Sequence, residues 1–186
     1  MFDEILTERL RLRTLAPGDA KEMQEYRSRP EVTQYQSCGA KSLDDVQAFI
    51  VSQSNADLNV AGWNQIAIER VSDGKLLGDC GIHILDETRI AEFGITLDPA
   101  HHSKGYATEA LKAVIELLFL KFKKHRVIAS VDPRNLPSLA LMERLGMRKE
   151  GHFIQSLWLK DAWVDDVIYA ILEGEWKSAS EQCSRS

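Results

Sequence analysis

Residues 97–111, LDPAHHSKGYATEAL, run from an apolar strand end through Pro99 and two histidines into a glycine-bearing turn that opens a helix. Such a turn leaves backbone N–H groups unpaired at the positive end of the helix dipole, which makes it an anion site. Without a Cβ, Gly105 lets neighbouring amides close on phosphate oxygens, while Ser103 and Lys104 add a hydroxyl and a charge. The segment has neither the G-x-x-x-x-G-K-[ST] of a P-loop nor the G-x-G-x-x-G of a dinucleotide fold. A phosphate group is therefore expected, held by a different template.

The elements around the turn can be read from periodicity. RLRLRTL (9–15) alternates leucine with arginine and reads as a half-buried first strand. Asp19, three residues before Glu22, is a capping-box variant for a short helix ending near Arg29 and Pro30. RPEVTQYQSCGAK reads as a loop, and Ser42 starts a second helix carrying Leu43, Val46, Phe49 and Ile50 on one face. WNQIAIER (63–70) and LLGDCGIHIL (76–85) should pair antiparallel around Asp73-Gly74. RIAEFGITL (89–97) is the third strand of this group, with Gly94 marking a bulge or a close backbone approach. A long amphipathic helix starts at Tyr106, RVIASV (126–131) is a buried strand, and NLPSLALMERLG (135–146) is a helix with Pro137 in its first turn and Gly146 at its end. Strands at 148–158 and 165–172 flank the turn LKDAWV, and the serine-rich tail 178–186 is polar enough to be disordered. The order is that of one mixed α/β domain, residues 1–177.

Composition narrows the function. A chain of 186 residues with net charge −5 supports one domain and disfavours a broad nucleic-acid surface. The start MFDEILTERL has acids where a signal peptide carries bases, and AVIELLFL is too short to span a bilayer, so no membrane partner and a cytoplasmic location are expected. Cys38, Cys80 and Cys183 share no metal-ligand spacing with the histidines and read as reduced thiols; no metal is expected.

The run His102-Ser103-Lys104-Gly105-Tyr106-Ala107 resembles the pyrophosphate motif [Q/R]-x-x-G-x-[G/A] of the GNAT N-acetyltransferase superfamily, with strand before and helix after. Agreement extends along the chain through TERLRLR, RPEVTQY, GDCGIHIL, AEFGITLDP, GYATEAL, N-x-x-S with ERLGM, and DAWVDDVIYAIL. These segments resemble the bacterial branch that acetylates ribosomal-protein N-termini at alanine or serine. The resemblance implies a central mixed, mostly antiparallel sheet with two splayed parallel strands and flanking helices. It implies acetyl-CoA as co-substrate and transfer to a primary amine, either a peptide N-terminus or a small amine such as a polyamine or aminoglycoside. A homodimer is compatible with it.

By that resemblance the pantetheine arm lies between RIAEFGITL and RVIASV. A bulge near Gly94 would turn the amides of Phe93 and Ile95 toward the thioester carbonyl, and Ile95 and Leu97 would line the arm. His102, Ser103, Lys104, Gly105, Tyr106, Ala107 and Thr108 would hold the pyrophosphate, and Asn135 would hydrogen-bond pantetheine. Two departures stand out. His102 replaces the usual Gln or Arg, so with His101 it is either an exposed turn pair or a phosphate-facing imidazole. Met142 stands where many members carry a proton-donating tyrosine, which keeps open a rival reading as a non-catalytic CoA-binding regulatory module. Ser138 matches a serine near the sulfur in the ribosomal branch, with a plain helix-start serine or a bound water as alternatives. Glu92 resembles a glutamate used as base in some relatives, with an ordinary strand carboxylate as the alternative. Tyr35, Trp63, Trp158 and Trp163 either rim an acceptor pocket or pack at core and edge.

Overall fold

Leucines alternating with arginines give the sheet its first long strand. The computed structural model describes residues 3–36, 42–53, 57–85 and 88–183. β1 (Ile5–Leu6) pairs antiparallel with β2 (Leu10–Thr14), where Leu10 and Leu12 are fully buried and the arginines remain outside the core. Helices α1 (Ala20–Arg27), α2 (Pro30–Thr33) and α3 (Leu43–Gln53) follow. The segment read as a loop thus begins with a short helix, set off by Pro30 at its first position, where a missing N–H costs nothing; 37–41 fall outside the described residues. Asp19 does not cap α1: its carboxylate takes the Arg13 guanidinium at 2.7 and 2.8 Å and the Ala16 N–H at 2.7 Å, while Glu22 accepts from the Leu76 N–H. Ser42 and Asp45 do cap α3, each accepting from the other's backbone N–H.

β3 (Gly62–Arg70), β4 (Leu76–Ile84) and β5 (Ile90–Leu97) form an antiparallel meander. α4 (Tyr106–Leu120) leads to β6 (Arg126–Val131), then α5 (Leu136–Arg144), β7 (Arg148–Leu159), β8 (Ala162–Leu172) and α6 (Glu173–Cys183). The sheet has eight strands in the order β1-β2-β3-β4-β5-β6-β8-β7, antiparallel except for β5 with β6. On one face α4 and α5 cover the main core, with Ala110, Leu111, Val114, Ile115 and Leu118 fully buried. On the other, α1 and α3 pack Met23, Tyr26, Val46 and Ile50 against Ala67 and Leu76. Covered on both sides, β4 is buried along almost its whole length, Asp79 included.

Three further expectations change. The β7–β8 turn is only Lys160-Asp161, both at positive φ, so 162–164 belong to β8. The tail is helical through Cys183, because Trp176 docks 6.5 Å from the Phe119 ring and anchors α6 to the core. β4 and β5 pair without a register shift, so Gly94 makes no bulge there.

Candidate functional site

The parallel pairing of β5 with β6 covers only Ile90↔Arg126, Ala91↔Val127 and Glu92↔Ile128. Beyond Glu92 the strands part, and β6 continues beside β8 alone. Asp98 donates its N–H to Leu77 on β4, and Leu85 donates to the Ile90 carbonyl, so even-numbered residues of β5 direct their backbone groups toward β4. With a period of two, the N–H groups of Phe93, Ile95 and Leu97 point toward β6; the Glu92↔Ile128 pairing engages that of Phe93 with the Ile128 carbonyl, so those of Ile95 and Leu97 face the gap. A straight strand therefore leaves Ile95 as an open donor, whereas a bulge was expected to turn both Phe93 and Ile95 outward. Phe93 and Leu97 are buried and Ile95 is half-buried, on the α4 side of the gap.

At the end of β5, Asp98 accepts from the Ala100 N–H and Pro99 starts a single 3-10 turn. Ser103 (φ 59) and Gly105 (φ 82) both take left-handed conformations, and Gly105 caps α4. Among the described residues, the consecutive backbone N–H groups of 103–108 find no acceptor; the first bond at the start of α4 runs from Glu109 to the Gly105 carbonyl. These donors converge at the positive end of a 15-residue helix. His102 is tied by Nε2–H to the Leu97 carbonyl at 3.1 Å and braces the turn. His101 is not the exposed residue that one reading allowed: it is 6% exposed, and burial outweighs Asp98 to push its imidazole below the usual range. The Lys104 ammonium bonds the Ala100 carbonyl at 2.8 Å and leaves its charge beside the turn.

Arg9 holds the turn from behind. Its guanidinium donates to Glu109 at 2.7 Å and to the Lys104 carbonyl at 3.0 Å, and it lies 4.7 Å above the Tyr106 ring. Nothing in the spacing of Arg9 pointed to this contact, which spans 95 residues to Lys104; only its place in TERLRLR marked the segment.

Across the gap, the Asn135 carboxamide oxygen caps α5 by accepting from the Ser138 N–H at 3.2 Å, which leaves its amide N–H groups for a ligand. Ser138 is half-buried, and its hydroxyl has no hydrogen-bond partner among the described residues. Met142, one turn further along the same face, is 2% exposed in the core, where an apolar side chain fits and a tyrosine hydroxyl would need a partner.

The opposite sheet face carries Glu92, whose carboxyl is pushed above the usual range by burial, against the nearby His83 and with the Asp166 charge adding to it. Asp79, fully buried on the same face, collects the Tyr26 hydroxyl, the Arg27 guanidinium and the Gln65 amide, and so fixes α1 to the sheet. The Gln36 side chain reaches Thr96 at 2.6 Å, and the Tyr35 hydroxyl reaches the Arg134 carbonyl at 3.2 Å, drawing the segment after α2 over the cleft. Trp63 stacks on His83, and Trp158 and Trp163 meet edge-on at 5.3 Å near the β7–β8 turn, where Lys160 bonds the Thr33 carbonyl.

An anion cradle opening beside a parted parallel strand pair is the arrangement of one family. Residues 9–148 match the acetyltransferase (GNAT) domain family. The chain belongs to this family. It is an acetyl-CoA-dependent N-acetyltransferase. The uncharacterized N-acetyltransferase YnaD of Bacillus subtilis is 33% identical over 172 residues, covering 92% of this chain and 98% of that protein. YdaF of the same organism, provisionally named a ribosomal N-acetyltransferase, is 29% identical over 189 residues, covering 95% and 98%. A spermidine N(1)-acetyltransferase of Vibrio cholerae is 27% identical over 93 residues, 50% of this chain and 54% of that protein. Among solved structures, a GNAT acetyltransferase from Bacillus anthracis superposes with a TM-score of 0.85 at 31% identity, covering 92% of this chain and 99% of the other.

Proposed function

We propose that this GNAT N-acetyltransferase moves the acetyl group of acetyl-CoA directly onto a protein or peptide N-terminal α-amine within a ternary complex. The observation that carries the reading is the run of unfilled N–H donors at 103–108 adjoining the gap between β5 and β6. The 103–108 amides, with Lys104, hold the pyrophosphate. Ile95 and Leu97 line the pantetheine arm, which Asn135 hydrogen-bonds from the α5 side. The N–H group of Ile95 donates to the thioester oxygen as it gains charge.

The acceptor arrives on the opposite face, where Glu92 takes the ammonium proton so that the nitrogen lone pair is free to attack. Ser138 delivers a proton to the departing sulfur, in place of the tyrosine that Met142 displaces. Much of the rate comes from holding amine and thioester together, so loss of either proton carrier slows the reaction without abolishing it. The likeness to YdaF over nearly the full length of both chains supports a ribosomal-protein N-terminus as acceptor. The partial likeness to a spermidine acetyltransferase supports a second reading, a polyamine.

The test is an acetyl-CoA turnover screen over peptides with alanine, serine and other N-termini, polyamines and aminoglycosides, with products identified by mass spectrometry. Acetylation at the peptide α-amine is expected. Turnover of spermidine without peptide acetylation would select the second reading, and CoA binding without turnover of any amine would leave a CoA-binding module.

A further inference from the structure

Trp63 on β3, His83 on β4, Glu92 on β5 and Ile128 on β6 are successive cross-strand partners, so their side chains share one face of the sheet. Glu92↔Ile128 is also the last pair before the strands part, which puts this row at the apex of the gap. The His83 imidazole lies flat against the Trp63 indole, with ring centroids 4.7 Å apart and planes 11° apart. Its Nδ1 is 3.6 Å from Glu92 Oε2, just beyond hydrogen-bond length, and is buried without any other partner. The imidazole nevertheless keeps 31% of its side-chain surface in solvent, against 24% for Glu92. The stack on Trp63 limits where the ring can turn, and among the described residues Nδ1 faces no acceptor or donor except Glu92.

We infer that His83 and Glu92 work as one proton-accepting pair, with His83 a positioning residue that acts through Glu92 and carries its proton to water. This rests on the proposed role of Glu92 as base. The incoming ammonium gives one proton to the Glu92 carboxylate, which passes it to His83 Nδ1, and the imidazolium releases a proton from Nε2 to solvent. The free amine forms the C–N bond, the C–S bond breaks, the sulfur takes a proton from Ser138 or water, and the second amine proton, received by Glu92, passes through solvent to restore that donor. The balance is an ammonium and a thioester consumed, with an amide, a thiol and one solvent proton formed. The charged groups bearing on Glu92 are His83 from β4 and Asp166 from β8, the latter with one oxygen engaged by the Ser130 hydroxyl at 2.7 Å; the β3 neighbours Trp63 and Gln65 are neutral.

The pair is testable in the free enzyme by NMR titration of the Glu side-chain carboxyl carbons and the His ring nitrogens. In the wild type, Glu92 and His83 are expected to titrate in shared steps, each signal showing the other's midpoint. His83→Gln, at a part-exposed site, should leave Glu92 with a single step at higher pH, because a facing cation is lost. An identical one-step Glu92 curve in both proteins would overturn the pairing. In turnover of the best acceptor from the screen, His83→Gln should lower kcat on the order of 10-fold at neutral pH, leave KM for acetyl-CoA unchanged, and recover as pH rises. An unchanged pH profile would equally refute it. Failure of the acetyl-transfer reading shows itself separately, as a wild type that turns over no amine while the NMR coupling persists.

Discussion

Gly105→Ala probes the turn where strain and function meet. At φ 82 an alanine costs about 1–2 kcal/mol relative to glycine. Its Cβ would also stand 3.2 Å from an Arg9 guanidinium nitrogen. That nitrogen is the tip of a flexible side chain, 42% exposed in its pair with Glu109, so displacing it adds at most about 1 kcal/mol. The total is about 1–3 kcal/mol, a fall in Tm of roughly 3–9 °C for a chain of this size. Gly146→Ala is the matched control, since Gly146 has φ 74 with nothing within 4 Å of its Cβ and lies outside the turn. It should lose stability through strain alone. The two variants should differ in CoA binding by calorimetry: losing one N–H contact to a charged oxygen costs about 1.5–3 kcal/mol, on the order of 10- to 100-fold in Kd. Gly146→Ala should bind CoA as the wild type does. A folded Gly105→Ala protein with CoA affinity within about twofold of wild type would refute the cradle.

Ser138→Ala should lower kcat on the order of 10- to 100-fold with acetyl-CoA affinity intact by stopped-flow and equilibrium binding, and full turnover would make the serine a bystander. Glu92→Gln should depress the rate most at neutral pH and least at alkaline pH, where the amine sheds its proton unaided, as read from kcat against pH. Tyr26→Phe leaves the buried Asp79 with Arg27 and Gln65 but one donor short, and should cost about 1–2 kcal/mol in urea unfolding. Burial raises the Glu109 carboxyl, but hydrogen bonds from Thr7 and Arg9 outweigh it and hold the folded value below the ordinary 4.5. The stability it contributes is therefore complete above 4.5 and drains away as pH falls through the folded value, so Glu109→Gln should flatten the acid limb of Tm against pH.

Local pattern carried much of this fold. The Tyr106–Leu120 stripe, the paired strands around Asp73-Gly74 and the Pro137 and Gly146 boundaries of α5 are short-range signals, and each names its own element. The expectations that changed depend on distant partners. Asp19 has the spacing of a cap, yet Arg13 offers its carboxylate a stronger, charged partner. The tail composition favours disorder, but one tryptophan at 176 has Phe119 to pack against. At the site, the glycine turn was legible because its chemistry is backbone chemistry. The Arg9 brace and the Trp63–His83–Glu92 row were not, since strand register, and not sequence spacing, brings them together.

The most direct test of the acetyl-CoA site is amide NMR of the protein titrated with CoA. The largest shift changes should fall on the backbone N–H groups of 103–108 and on Ile95 and Leu97 along the open edge of β5, and Gly105→Ala should weaken them together. Saturating CoA that leaves these amides unmoved, or moves a different surface, would contradict the account.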